Sequence, residues 1–294
     1  MRAASIFHIP GSGSQLSMAR VGDFVKIFKR CFVLVAVLYF TVLAAFFFDQ
    51  RSLLYYPTHT YTPLAEAQAN HAFQEISVRT EDGIHLKAWY APAAGKTCTI
   101  VFFHGNGDSL LTAAPVADPY IDAGYGFLLA EYRGYSGLPG TPDEVGLYRD
   151  ARADLNDLTA RGVPEHHIVL FGHSLGTGVA VEMATEFYVG GTMLLAPYLS
   201  IPKAAQAHYP FLPASMLALD RFENEKKIGS VHVPLLIVNG AQDQVIPPSQ
   251  GLKLYALANQ PKEFHSLPER GHNDAFDTFT PLSLNWLERV CPEN

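Results

Sequence analysis

An α/β fold with a mostly parallel, doubly wound sheet is predicted for the greater part of this 294-residue chain. Three observations predict it. Short apolar runs recur along the chain, helix-compatible segments separate them, and one run ends in the turn Gly172-His173-Ser174-Leu175-Gly176. An apolar run that reverses sharply through Gly-x-Ser-x-Gly into a helix has the form of a nucleophile elbow. A Cβ at either glycine would obstruct the reversal that lifts the serine hydroxyl out of the sheet.

The first element is an apolar segment, residues 31–48, from Cys31 to Phe48 and without a charge. At about 1.5 Å per residue it spans roughly 27 Å, close to a hydrocarbon core. Lys26 and Lys29 can snorkel to cover the deficit, and Tyr55 and Tyr56 suit the interface beyond. Lys26, Lys29 and Arg30 precede the segment, whereas Asp49 and Arg51 follow it. Positive-inside bias therefore predicts a single-pass signal anchor with residues 1–30 cytoplasmic and the domain from residue 53 onward extracytoplasmic, periplasmic or lumenal. A cleaved signal peptide is the alternative, against which stand the long leader and the bulky Phe46-Phe47-Phe48 at the cleavage position. Residues 1–17 add no apolar pattern, which leaves Met18 as an alternative start.

Beyond the anchor, Glu75 to Val78 and Ile84 to Tyr90, joined through Glu81-Asp82-Gly83, predict an antiparallel edge hairpin. Five continuous apolar runs then follow: Thr99 to Phe103, Phe127 to Ala130, Ile168 to Phe171, Met193 to Ala196 and Leu235 to Val238. Their non-alternating character fits strands buried on both faces. Thr141-Pro142-Asp143-Glu144 predicts a helix start, with Thr141 as N-cap, proline at the first position and Glu144 closing a capping box. Val145, Tyr148, Leu155 and Leu158 mark one face of that helix, and Gly162 stops it. The segment 198–228, with Tyr198, Tyr209, Phe211, Leu212, Met216, Leu217 and Leu219, sits where a lid is inserted in such sheets. Its apolar residues have two equal readings, an acyl-chain cover and ordinary packing.

Ligands bind beyond the carboxyl ends of strands in open α/β sheets, so the residues there belong together. They are His104-Gly105-Asn106-Gly107, Ser174, Asn239-Gly240-Ala241-Gln242-Asp243 and, after a further run from Glu263 to Leu267, Gly271-His272-Asn273-Asp274. The order serine, acid, histidine is the one this type of sheet imposes on a triad. Ser174 is too weakly acidic to attack a carbonyl unaided, so His272 is assigned as its base and Asp243 as the orienter of the imidazole. Asp274 and Asp220 are the rival acids; Asp274 has the simpler reading of a cap on the following helix, and Asp220 lies in the lid segment. The main-chain N–H groups of Leu175 and Asn106 are the expected oxyanion donors, with no role required of the Asn106 side chain. His173 and His104 are read as structural, and Tyr132-Arg133-Gly134-Tyr135-Ser136-Gly137 has two readings, a pocket wall and an arginine tying loops together.

In His104-Gly105-Asn106, Tyr132 to Gly137, Gly172 to Gly176, Gly271 to Asp274 and Leu53-Leu54-Tyr55-Tyr56-Pro57 the chain resembles the BEM46-like α/β-hydrolases, the group with the ABHD13-type and ABHD17-type serine hydrolases. The likeness covers roughly Leu53 to the C-terminus and implies an α/β-hydrolase fold, the triad Ser174, Asp243 and His272, and ester or thioester hydrolysis. Depalmitoylation is implied for some members only, so no single substrate follows. Prolyl peptidases of the same fold carry Tyr-Gly-Gly after the nucleophile, where this chain has Leu175-Gly176-Thr177, a departure that disfavours a peptidase.

Composition bounds the rest. About 245 residues after the anchor suit one α/β domain. A net charge of −7 carries no footprint for nucleic acid. No His/Cys spacing resembles a metal site, and no cofactor is expected. Of three cysteines, Cys31 lies in the anchor; a Cys98–Cys291 bridge is conceivable, but free thiols are expected. An acyl ester or thioester, with lipids and acylated proteins among the candidates, is the expected partner. A serine peptidase, an acyltransferase and a silent binding protein on the same fold are the alternatives.

Overall fold

The computed structural model describes residues 13–291. The first twelve residues of the segment read as cytoplasmic lie outside them. Contacts divide the chain into two units, residues 1–49 and 50–294. The described part of the first, residues 13–49, belongs to helix α1 (Gly13–Leu54), which runs past both ends of the 31–48 segment. Within it, Asp23–Leu54 is long and apolar enough to cross a membrane.

In the second unit the described strands are β1 (Gln74–Arg79), β2 (His85–Ala91), β3 (Thr99–Phe103), β4 (Gly126–Ala130), β5 (Ile168–His173), β6 (Gly191–Leu195), β7 (Leu235–Gly240) and β8 (Lys262–Leu267). They form one sheet in the order β1-β2-β4-β3-β5-β6-β7-β8. β1 and β2 are antiparallel to each other and β2 is antiparallel to β4, whereas β4, β3, β5, β6, β7 and β8 run parallel. The five continuous apolar runs are thus the parallel strands β3 to β7, and the two-sided burial they predict is observed, whereas the sixth, β8, is half-buried. Val101 and Phe103 enter one core while Ile100 and Phe102 enter the other, because successive side chains alternate across the sheet.

The helices of this unit are α2 (Leu110–Asp122), α3 (Glu144–Ala160), α4 (Gly176–Glu186), α5 (Ile201–His208), α6 (Ala214–Leu217), α7 (Asn224–Lys227), α8 (Pro248–Leu257) and α9 (Phe276–Val290). α2 and α9 cover the face of Phe102 through Ala113, Tyr120, Phe279 and Trp286. α3, α4 and α8 cover the other through Leu155, Val179 and Leu254. α5, α6 and α7 lie in the segment expected to form a lid.

The start of α3 corrects the sequence reading. Asp143, not Thr141, is the N-cap, and its carboxylate accepts the Gly146 N–H at 2.7 Å. Glu144 does not turn back to close a capping box; it accepts the Tyr148 hydroxyl at 2.8 Å and the Arg221 N–H at 2.6 Å. Val145 is exposed, whereas Tyr148, Leu155 and Leu158 are buried. Gly162 does end the helix, with φ +93° and Val163 N–H returning to the Leu158 carbonyl. The expectation of free thiols is also overturned, because Cys98 and Cys291 form a disulfide. The packing of α9 on the sheet brings residues 193 positions apart to a Cα separation of 5.9 Å, a relation no local pattern encodes.

Candidate active site

The elbow forms because its glycines admit no side chain. A Cβ on Gly172 would lie 2.6 Å from the Gly176 carbonyl oxygen, and one on Gly176 would lie 2.0 Å from that of Phe103. Between them Ser174 adopts φ +50°, a strained left-handed conformation for a non-glycine residue. Its N–H donates to the Leu195 carbonyl at 3.0 Å, which holds the turn against the end of β6. The hydroxyl is left facing the loops beyond the strand ends.

Three of those loops converge. The Ser174 hydroxyl lies 2.8 Å from Nε2 of His272, and Nδ1 of His272 lies 2.7 Å from Oδ2 of Asp243. Asp243 is buried, and its other oxygen accepts the N–H groups of Val245 and Ile246, each at 2.8 Å. With both oxygens engaged the carboxylate is immobilised, so Nδ1 carries the proton it donates and Nε2 is left to accept from the serine. Such a line can withdraw a proton from the hydroxyl as it attacks.

The rival acids are occupied elsewhere. Oδ1 of Asp274 accepts the Gly271 N–H at 2.6 Å, bracing the histidine loop from within rather than capping α9. Asp220 is buried in an ion pair with Arg51.

Leu175 sits at the N-cap of α4, and among the described residues neither its N–H nor that of Asn106 donates to a protein acceptor. Two free main-chain donors at this rim, one at a helix N-terminus, suit a developing oxyanion. Ser174, His272 and Asn106 border one cavity of about 500 Å³, whose apolar side includes Phe102, Val116 and Phe276. Asp108 lines it too, its carboxyl raised by burial more than the His104 charge lowers it.

His173 does not reach the serine. It is buried against Phe276, its Nε2 turned to the His272 carbonyl at a long 3.5 Å. Burial, then the neighbouring His272, pushes its pKa down to about 3, so it stays neutral. His104 is equally buried and differently placed: Nδ1 donates to the Gly105 carbonyl and Nε2 meets Oε1 of Glu131, each at 2.8 Å. Burial alone would lower its pKa, but the Glu131 carboxylate outweighs that and raises it.

Sequence reasoning passed over Glu131. Besides His104 it takes the N–H groups of Tyr132 and Leu110, at 3.0 and 3.1 Å, and the Ser136 hydroxyl at 2.6 Å. It therefore ties the Asn106 loop, the start of α2 and the loop after β4 together; the available signal was a carboxylate set directly at the end of a buried apolar strand. Arg133 takes the structural of its two readings, buried in bidentate contact with Asp150 and Asp82. The Asn106 side chain, of which nothing was required, makes three hydrogen bonds.

A family model described as serine aminopeptidase, S33, matches residues 96–224. An uncharacterised protein of Mycobacterium tuberculosis is 35% identical over 254 residues, 84% of this chain and 90% of that one. Alpha/beta hydrolase domain-containing protein 17C of Xenopus laevis is 31% identical, over 72% of this chain and 66% of its own. The esterase Pf2001 of Pyrococcus furiosus superposes with a TM-score of 0.65 over 81% of this chain and all of that chain; at 17% identity it speaks for the fold. The elbow, the strand order and these relatives agree: the chain belongs to the BEM46-like, ABHD-type family of α/β-hydrolases.

Proposed function

We propose that this hydrolase is a membrane-anchored serine esterase or thioesterase working through an acyl-enzyme intermediate. Ser174 attacks the carbonyl as His272 takes its proton, Asp243 steadies the imidazolium, and the N–H groups of Asn106 and Leu175 hold the oxyanion. His272 then returns the proton to the leaving group and activates the water that releases the acid. The observation that carries this reading is the unbroken hydrogen-bonded line Asp243–His272–Ser174, at 2.7 and 2.8 Å. The apolar side of the adjoining cavity suits an acyl chain.

The anchoring part rests on the apolar helix. The extracytoplasmic placement of residues 53–294, with 198–228 as lid, rests on the cations before the span and on the Cys98–Cys291 disulfide, a bond that persists in oxidising compartments. Peptide cleavage is the second reading, favoured by the family model's description and by Asp108, whose carboxylate would receive a substrate ammonium.

A fluorophosphonate probe tests the chemistry: it labels the wild-type protein and not Ser174→Ala, and failure to label folded protein removes the reading. A panel of p-nitrophenyl esters, acyl thioesters and aminoacyl p-nitroanilides separates the two substrate classes. Protease applied to spheroplasts, or to the opened lumen with the cytoplasmic face kept sealed, cuts after Phe48 if the orientation is right; protection reverses it.

A further inference from the structure

Resting on that catalytic reading, we propose that the Asn106 carboxamide is the positioning residue of the oxyanion hole, and that it acts by clamping the oxyanion loop to the segment Leu54–Tyr56. Its Nδ2 donates to the Leu54 carbonyl. Its Oδ1 accepts the Tyr56 N–H at 2.8 Å and the Tyr135 hydroxyl at 2.9 Å. A carboxamide is required, because one partner needs a donor and the other two need an acceptor. Aspartate keeps the acceptor and loses the donor.

The loop is otherwise held beside Asn106, at the Gly105 carbonyl, which accepts His104 Nδ1 at 2.8 Å and the Asp108 N–H at 3.4 Å. Asn106 lies between Gly105 and Gly107, and Gly107 has φ +80° with open space where a side chain would be. The three partners are themselves fixed. Tyr135 is fully buried and packs edge-on to His104 and Tyr132. Leu54 ends α1, and the same stretch of chain is pinned where Gln50 accepts the Leu219 N–H at 2.7 Å and Arg51 pairs with Asp220 at 2.9 Å. The carboxamide and the oxyanion donor belong to one residue, so fixing the first fixes the second within a few bonds. A misplacement of about 1 Å at such a donor costs on the order of 10²-fold in rate. The chain just after the apolar helix is thereby part of the active site's support.

Full-length protein in nanodiscs, as Asn106→Ala, Asn106→Asp and Tyr135→Phe, tests this against a merely structural clasp. The readouts are kcat and KM on a p-nitrophenyl ester and the affinity of an alkylboronic acid, which forms a tetrahedral adduct on the serine. Asn106→Ala is expected to lower kcat on the order of 10²-fold with KM within about threefold, and to weaken the boronate in parallel. Asn106→Asp is expected to behave alike, and Tyr135→Phe to lose roughly three- to tenfold. Folded Asn106→Ala with kcat within about threefold of wild type overturns the inference, as does a fall in kcat with boronate affinity unchanged. Should Asn106→Ala not fold, Tyr135→Phe at wild-type kcat and boronate affinity overturns it. Ser174→Ala separates the two levels: if it keeps its activity the catalytic reading fails, whereas its inactivity beside undiminished Asn106 and Tyr135 variants removes the clamp alone.

Discussion

Arg51 and Asp220, 169 positions apart in sequence, meet at 2.9 Å, and the Asp220 carboxylate also accepts the Glu144 N–H at 3.2 Å. The Asp220 carboxylate is thus committed to Arg51 and the start of α3. The pairing leaves Asp243 as the acid in contact with His272.

Asp243→Asn is therefore expected to lower kcat by about 10⁴-fold, as loss of the carboxylate leaves the imidazole in the wrong tautomer. Asp220→Asn and Asp274→Asn are expected to stay within about tenfold of wild type. Steady-state kinetics on one ester decide it, and a larger loss in either rival than in Asp243→Asn reassigns the acid.

Glu131 and His104 form a buried pair whose remaining bonds hold three loops. Removing one partner leaves the other uncompensated, so Glu131→Gln is expected to cost roughly 3–5 kcal/mol. The folded state raises the His104 pKa, so the wild type gains stability from the pair below the unfolded value near 6.5. That gain disappears as pH rises through the raised folded value. Chemical denaturation across this range is expected to show the decline in wild type and its absence in Glu131→Gln.

Asp154 is fully buried in α3, and its Oδ2 has no hydrogen-bond partner. Burial, with Asp150 and Asp157 nearby, raises its pKa far above the ordinary carboxylate value. The folded state then binds a proton that the unfolded chain releases, and stability falls as pH climbs above about 4. Asp154→Asn carries no such proton. Its stability is expected to vary less between pH 5 and pH 8 than that of wild type, and parallel slopes would contradict the assignment.

The Cys98–Cys291 bridge ties the end of α9 to the residue before β3. Loss of such a cross-link typically costs about 2–5 kcal/mol. In a domain of this size that lowers Tm by roughly 4–20 °C. Cys291→Ser, or reduction in an unfolding scan, is expected to show the shift, and an unchanged Tm would mean the bond adds nothing.

How far the molecule could be read before folding differs from part to part. The parallel strands β3 to β7 were legible because burial on both faces leaves an unbroken apolar run, and Ile168, Leu170 and Phe171 carry that mark themselves. The elbow was legible because steric exclusion at Gly172 and Gly176 is a local requirement. The α3 start was misread because Thr141, Asp143 and Glu144 offer overlapping local signals, and only the outside partners Tyr148 and Arg221 draw Glu144 away from a capping box.

Residue type and order were enough to nominate Ser174, Asp243 and His272, since the ends of parallel strands share one rim and each loop could be assigned to that rim from its own strand. Which aspartate reaches the histidine, where Glu131 spends its two oxygens, what the Asn106 carboxamide grips and which cysteines pair all depend on approaches across the folded chain. Hydrogen bonds and disulfides form over a few ångströms of space, and residues far apart in sequence reach that range only once helices and sheet have packed.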